Sequence, residues 1–184
     1  MGNEMIIQIN NFLKEFIYGF MFNDINAVII GKANFLAALG LMEYTEIVGG
    51  LVSGNLREKK CCKQNFEAFI QYLGQPYIDL NKDINLYDRV RCGLAHEYFI
   101  KGPATIWMSS DNPIPCGILY NKDKDWINFV VTKYFDDFKS AIGVYHKQLV
   151  HEKNEKLIKT FKKALKINED TNFNRDQFTK KGIG

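Results

Sequence analysis

One stretch of the chain, Tyr87–Tyr98, gathers residue types that carry out acid–base and phosphate chemistry. It places Arg89, Arg91 and His96 on one predicted helix, and His96 is one of only three histidines in the chain. Histidine takes up and returns a proton near neutral pH, and a guanidinium group holds a phosphate through two parallel hydrogen bonds. These residue types therefore indicate phosphodiester chemistry.

The spacing of these residues predicts a site shared between two copies of the chain. In an ideal α-helix, Arg91 and His96 are five positions apart and are rotated from each other by about 140°. Arg89 and His96 are seven apart, so they share a face at a distance of about 10 Å. One helix would not focus Arg91 and His96 on a single small group. A second copy across a two-fold axis would supply the missing half, so we expect a homodimer.

The motif Arg91-x4-His96, near the C-terminal end of a helix in a small helical domain, resembles the R-x4-6-H signature of the HEPN superfamily. The resemblance covers roughly residues 4–100, with the final helix as a fifth member of the bundle. It implies a dimeric, metal-independent endoribonuclease that leaves 2′,3′-cyclic phosphate ends. His96 would act as acid or base, and Arg91 would bind the scissile phosphate. Such proteins often serve as toxins or antiviral effectors, which would add an antitoxin or effector partner.

Three neighbours are candidate supporting residues of this site. Arg89 is interpreted as a solvated or ion-paired helper. Glu97 and Tyr98 lie within one turn of His96, so they could orient it or contact substrate, although packing alone would also explain Tyr98.

A second interpretation makes Arg91 a structural residue. Arg91 falls on the apolar stripe of its helix, and an inward-facing arginine needs an anionic partner or a cleft. Glu43 and Glu46, three apart on one face of the second predicted helix, could supply that partner. The protein would then be a non-catalytic helical interaction or scaffold module. Gly93 inside the helix indicates close approach of another backbone or of a ligand.

The elements around the motif predict an all-α, HEPN-like bundle of four to five helices. Ile6 to Phe20 carry one apolar stripe on the first helix, and Asn23 or Asp24 would cap the second, which runs toward Leu51. A third helix spans about 59–73, and a fourth starts at Asp79 or Asn81 and ends at 102–103. One long last helix runs from 135 to about 167.

Between the last two helices the sequence predicts a small antiparallel β-hairpin or meander, at about 104–131. Its runs 105–108, 116–120 and 126–131 are β-branched and aromatic, and turn-forming residues separate them. We expect a single domain over 1–168 and a frayed polar tail over 169–184.

Composition narrows the function classes. The chain has 184 residues and a net charge of +3, and a charge this small does not by itself indicate nucleic-acid binding. Residues 147–166, however, carry seven lysines and only two acidic residues, Glu152 and Glu155. This local positive charge makes RNA a candidate partner. The four cysteines form no C-x-x-C pair and are expected to be free core thiols in a reducing cytoplasm. No cofactor motif or metal-ligand spacing occurs, and His146 and His151 are expected at the surface. No membrane association is expected.

Overall fold

The structure is a computed structural model that describes residues 3–166. Within this range it contains seven α-helices, three π-helical segments, one 3-10 turn and one three-stranded sheet. The α-helices are α1 (Asn3–Phe12), α2 (Phe22–Ile30), α3 (Asn34–Ser53), α4 (Cys62–Leu73), α5 (Gln75–Ile84), α6 (Val131–His146) and α7 (Glu155–Leu165). The π-helical segments are π1 (Leu13–Met21), π2 (Tyr87–Glu97) and π3 (Lys147–His151), and the 3-10 turn is Lys59–Cys61. The strands are β1 (Ala104–Trp107), β2 (Ile118–Asn121) and β3 (Trp126–Val130).

Helix α3 lies at the centre of the molecule and packs against α4, α6, α7 and π2. Its buried positions are small or apolar, and the aromatic residues of α4, α6 and α7 fill the space around it. This confirms the prediction of a mostly helical fold with a small β insertion. By length and composition alone α3 could cross a membrane, and half of its apolar window is buried inside the protein.

The helix boundaries differ from the sequence prediction in three places. The first helix continues through π1 to Ile30, and the chain turns only at Gly31 and Lys32, where Lys32 has a positive φ of 54°. The predicted fourth helix is two elements, because Asn85 adopts the left-handed conformation (φ 51°) that asparagine tolerates better than most residues. The predicted last helix also breaks after π3, where the side chain of Asn154 accepts the Leu157 N–H and starts α7.

The sheet is mixed, so the prediction of an antiparallel meander is wrong in one pairing. Strands β2 and β3 form the expected antiparallel hairpin, with Ile118 opposite Phe129. Strand β1 instead lies parallel to β3, on its other side, with Ala104 opposite Ile127. The segment between β1 and β2 crosses over β3, because Gly117 and Cys116 are held against α6 in the core.

The domain boundary at 168 and the tail 169–184 lie outside the described residues. Within 3–166, one buried apolar cluster joins all the α-helices to strands β2 and β3.

Candidate functional site

The motif helix π2 has a geometry that the sequence argument did not anticipate. A π-helix closes hydrogen bonds from residue i to residue i+5, as the Tyr98 N–H does by donating to the Gly93 carbonyl. Residues five apart therefore lie one turn above each other. Arg91 and His96 have this spacing, so the expected rotation of about 140° between them is wrong. The two residues share one side of π2.

Gly93 lets the chain after π2 fold back onto it. The Lys101 N–H donates to the Arg89 carbonyl at 2.8 Å, and the Phe99 N–H donates to the Gly93 carbonyl at 3.3 Å. A Cβ atom at position 93 would lie 2.5 Å from the Phe99 carbonyl oxygen. The glycine is required by close approach of backbone, one of the two roles that the sequence indicated.

Arg91 is held by two carboxylates from α3. Its Nη2 donates to Glu43 Oε2 at 2.9 Å, and its Nε lies 2.6 Å from Glu46 Oε2 in a charge contact without hydrogen-bond alignment. The Arg91 side chain is 12% exposed, and its guanidinium carbon lies 5.7 Å from the centre of the Tyr87 ring. The ion pair of the structural interpretation is therefore present in the molecule.

The electrostatics of this cluster leave it short of positive charge. One guanidinium faces two carboxylates, and burial raises the pKa of Glu43 even though Arg91 and His96 both act to lower it. The pKa of Arg91 is raised, since the attraction of Glu43 and Glu46 outweighs burial, which acts to lower it. The cluster therefore keeps Arg91 charged. The pKa of Glu43 therefore depends on the charges of both Arg91 and His96.

His96, Glu97 and Tyr98 lie at the exposed end of π2. The His96 ring is exposed, and Glu97 pairs with Lys101 at 3.4 Å. Tyr98 is 63% exposed and its ring lies 3.8 Å from that of Phe35. The structure thus brings Arg91, His96 and Tyr98 to one end of the molecule, and the contact with Phe35 gives Tyr98 the packing role that was considered for it.

Arg89 points away from this cluster toward the sheet. Its Nη1 donates to Asp125 Oδ1 at 2.6 Å and its Nε donates to the Lys101 carbonyl at 3.2 Å. Hydrogen bonds from Arg89 and Tyr120 lower the pKa of Asp125. Arg89 is ion-paired, as expected, and its contact with Asp125 joins π2 to the turn before β3.

An apolar groove lies beside Tyr98 and was not anticipated. It has a volume of about 450 Å³ and is lined by Phe35, Tyr98, Phe99, Ile100, Gly102, Ala104 and Ile106. Phe99 is 71% exposed, and Ile30 and Leu36, near Phe35 in the chain, are 82% and 54% exposed. The consecutive aromatics Tyr98 and Phe99 after a helix were the one signal in the sequence.

Of the two histidines predicted to lie at the surface, His151 does and His146 does not. His146 is half-buried, with Nδ1 3.0 Å from the Tyr18 hydroxyl and Nε2 3.0 Å from Asn10 Oδ1. Burial, helped by His151, lowers the pKa of His146. His151 is exposed, and its ring lies 6.1 Å from that of His146. Because Tyr18 is 128 residues away, local sequence carried no signal for this contact.

The four cysteines form no disulfide with one another, but three of them are less buried than expected. Cys61, Cys62 and Cys92 are half-exposed, and only Cys116 is buried. Burial raises the pKa of the Cys62 thiol, as does its hydrogen bond to Glu46. Cys62 therefore extends the carboxylate cluster around Arg91. Within residues 3–166 there is no group of three or more histidine, cysteine or acidic side chains arranged to hold a metal ion.

Comparison of the chain with protein-family models, with curated proteins and with solved structures finds no match.

Proposed function

We propose that the protein is a HEPN-like RNA-binding protein and metal-independent endoribonuclease, with Arg91 and His96 in its site. The observation that supports this most is the agreement between the spacing of the motif and the turn of π2. In a π-helix the five-residue step places a phosphate-binding guanidinium and a proton-transferring imidazole on the same side. An α-helix with the same sequence would separate them.

The reaction that fits these groups is attack of a ribose 2′-hydroxyl on the adjacent phosphate. Neutral His96 removes the 2′-hydroxyl proton, the 2′-oxygen bonds to phosphorus, and the bond from phosphorus to the 5′-oxygen breaks. A protonated acid, in a two-fold dimer the His96 of the second copy, returns a proton to the departing 5′-oxygen. The products are a 2′,3′-cyclic phosphate and a free 5′-hydroxyl, and no further reactant is needed.

Arg91 is positioned for this role by the same glutamates that neutralise it. Its Nε and Nη2 face Glu46 and Glu43, and its Nη1 donates to no protein atom within residues 3–166. One guanidinium edge thus remains available for a phosphate oxygen. Since two carboxylates repel a phosphate, the site needs further positive charge from outside this cluster.

The apolar groove beside Tyr98 supports the homodimer in this proposal. Phe99, which lines the groove, is 71% exposed, and large exposed apolar patches mark interaction surfaces. Self-association over this face would bring two copies of His96 toward each other. Cysteines that form no disulfide suit a reducing compartment, so the proposal includes a cytoplasmic location and a toxin or antiviral role.

A second candidate function rests on the ion pair itself. Arg91 bridges α3 and π2 through Glu43 and Glu46, and a buried cation held by two carboxylates is a common structural element. The protein would then be a non-catalytic helical interaction module, with the apolar groove as its binding surface.

The test is RNA cleavage in EDTA by purified wild-type protein beside His96→Ala, with the ends of the products identified. We expect cyclic phosphate ends from the wild type and their loss in His96→Ala. His151→Ala is the matched control, because His151 is an exposed histidine of a different π-helical segment, π3. This variant should cleave RNA like the wild type. If the folded wild type cleaves none of several RNAs, the interaction module is the better assignment.

A further inference from the structure

Helix α7 and the residue at its C-terminal end carry a stripe of lysines that contact no carboxylate within residues 3–166. The lysine stripe consists of Lys156, Lys159, Lys163 and Lys166. The first three, at steps of three and four, lie on one side of α7, and Lys166 is the residue at which the helix ends in the left-handed conformation (φ 56°). Each of the four is exposed. Over α7 their spacing produces a row of positive charge about 10 Å long.

The lysines of this region differ from others in the protein. Between 153 and 166 there are six lysines, and within residues 3–166 none of them contacts a carboxylate. Seven lysines elsewhere each contact at least one carboxylate: Lys63, Lys82, Lys101, Lys122, Lys133, Lys139 and Lys147. Because α7 is not neutralised from within the described chain, its charge is available to an outside polyanion.

The packing of α7 favours a nucleic acid over a membrane. Its apolar side, formed by Ile158, Phe161, Ala164 and Leu165, is buried, and the Phe161 ring meets that of Phe12 at 5.4 Å. No apolar face remains to enter a bilayer, as a helix that lies in the membrane interface requires. A rigid row of ammonium groups without an apolar face suits a phosphate backbone.

The stripe is anchored close to the candidate site along α3. Lys163 Nζ donates to Asn55 Oδ1 at 2.9 Å, just after the end of α3. Glu46, which holds Arg91, lies seven residues before Ser53, the last residue of α3. That separation is about 10 Å along the axis, the length of about three stacked nucleotides.

We propose that the lysine stripe binds the sugar–phosphate backbone of the RNA strand that the Arg91 and His96 site receives. This inference rests on the proposed function for the identity of the polyanion. Binding at the stripe is independent of sequence and supplies positive charge that the neutralised Arg91 cluster lacks. It holds the substrate while π2 carries the chemistry.

The test measures binding to a 2′-O-methyl oligouridine 12-mer, which has no free 2′-hydroxyl and is not cleaved. The stripe variant combines Lys156→Gln, Lys159→Gln and Lys166→Gln in the full chain. The control combines Lys63→Gln, Lys82→Gln and Lys139→Gln, three exposed lysines that each have a carboxylate partner. Both variants lose three positive charges, so net charge is matched.

We expect the stripe variant to bind the oligonucleotide at least about tenfold more weakly at about 50 mM salt, and the control less than about threefold. In a plot of log binding constant against log salt concentration, each single-strand phosphate contact contributes about 0.7 to the slope. The stripe variant loses three such contacts, so its slope should be smaller in magnitude than that of the wild type by about 2. Equal weakening in both variants, or none in either, would overturn the proposal. So would stripe-dependent binding to phosphatidylserine vesicles without binding to the oligonucleotide.

Cleavage of unmodified RNA separates this inference from the proposed function. If both hold, the stripe variant shows a higher KM with an unchanged kcat, and His96→Ala binds the oligonucleotide like the wild type. If binding depends on the lysine stripe but the protein cleaves no RNA, the proposed nuclease activity is rejected and the proposed RNA-binding surface is retained. If the stripe variant cleaves RNA with an unchanged KM, the proposed RNA-binding surface is rejected and the proposed nuclease activity is retained.

Discussion

Two cationic regions of this protein use their charge in opposite ways. At π2, Arg91 is enclosed by two glutamates and its side chain is 12% exposed. At α7, the lysine stripe faces solvent and meets no carboxylate within the described chain. A cation paired inside the protein stabilises the fold, whereas an unpaired row of cations contributes little to the fold and is free for a partner. The contrast predicts that the two regions respond very differently to substitution.

The largest expected effect is at Arg91. Arg91→Ala should lower the free energy of unfolding by about 3 kcal/mol, because it leaves Glu43 and Glu46 partly buried without a counter-charge. Urea denaturation followed by circular dichroism measures this directly. A loss of unfolding free energy below about 0.5 kcal/mol would show that the ion pair does not stabilise the fold. Arg91 would then not differ from the lysines of α7 in this respect.

A matched variant sharpens that result. Arg91→Leu combined with Glu43→Gln and Glu46→Gln removes all three charges and should recover most of the lost stability, since replacing a whole buried ion cluster is often neutral. If the triple variant is no more stable than Arg91→Ala, packing of the arginine side chain rather than its charge is what α3 and π2 need.

A smaller loss is expected at Gly93, where π2 receives the returning chain. Gly93→Ala should destabilise the protein by about 1–3 kcal/mol, because the new Cβ would meet the Phe99 carbonyl oxygen at 2.5 Å. Gly143→Ala in α6 is the control, since nothing lies within 4 Å of the added atom, and it should be neutral or stabilising by up to about 1 kcal/mol. Thermal melts of both variants test the difference, and equal melting temperatures would contradict it.

Local sequence signals predicted the parts of this fold that depend on neighbours in the chain. The apolar stripes predicted the helical character of most of the chain but not all the breaks between helices, Gly74 ended α4 as expected, and Gly93 indicated the close backbone approach that Phe99 makes. The pairing of Arg91 with Glu43 or Glu46 was one of the two interpretations, because the charges and the helix faces were both visible in the sequence.

The features that were missed depend on distant contacts or on backbone geometry. The parallel pairing of β1 with β3 and the bond from His146 to Tyr18 join segments that share no local pattern. The π-helical turn of π2 was missed because helical periodicity was read at 3.6 residues per turn. That single assumption changed the predicted geometry of Arg91 and His96.

The third prediction concerns pH and Glu43. Burial raises the pKa of Glu43 in the folded protein, so the folded state binds its proton more tightly than the unfolded state. Just above the usual glutamate pKa the folded state therefore carries more protons, and the free energy of unfolding falls as the pH rises through that interval. Glu43→Gln should make the stability in that interval less dependent on pH than in the wild type. Glu67→Gln, an exposed glutamate paired with Lys63, should leave the slope unchanged, and a matching change there would assign the effect to general charge.

The smallest effect belongs to the lysine stripe. The variant with Lys156→Gln, Lys159→Gln and Lys166→Gln should change the free energy of unfolding by less than about 0.5 kcal/mol, because glutamine and lysine have similar helix propensities and these side chains contact no carboxylate. At low salt the variant should be slightly more stable than the wild type, because like charges three and four apart repel each other, and the difference should vanish at about 0.5 M salt. Melting curves at both salt concentrations measure this. A loss above about 1 kcal/mol would mean that the stripe stabilises α7, and its charge would then have a use inside the protein, as that of Arg91 does.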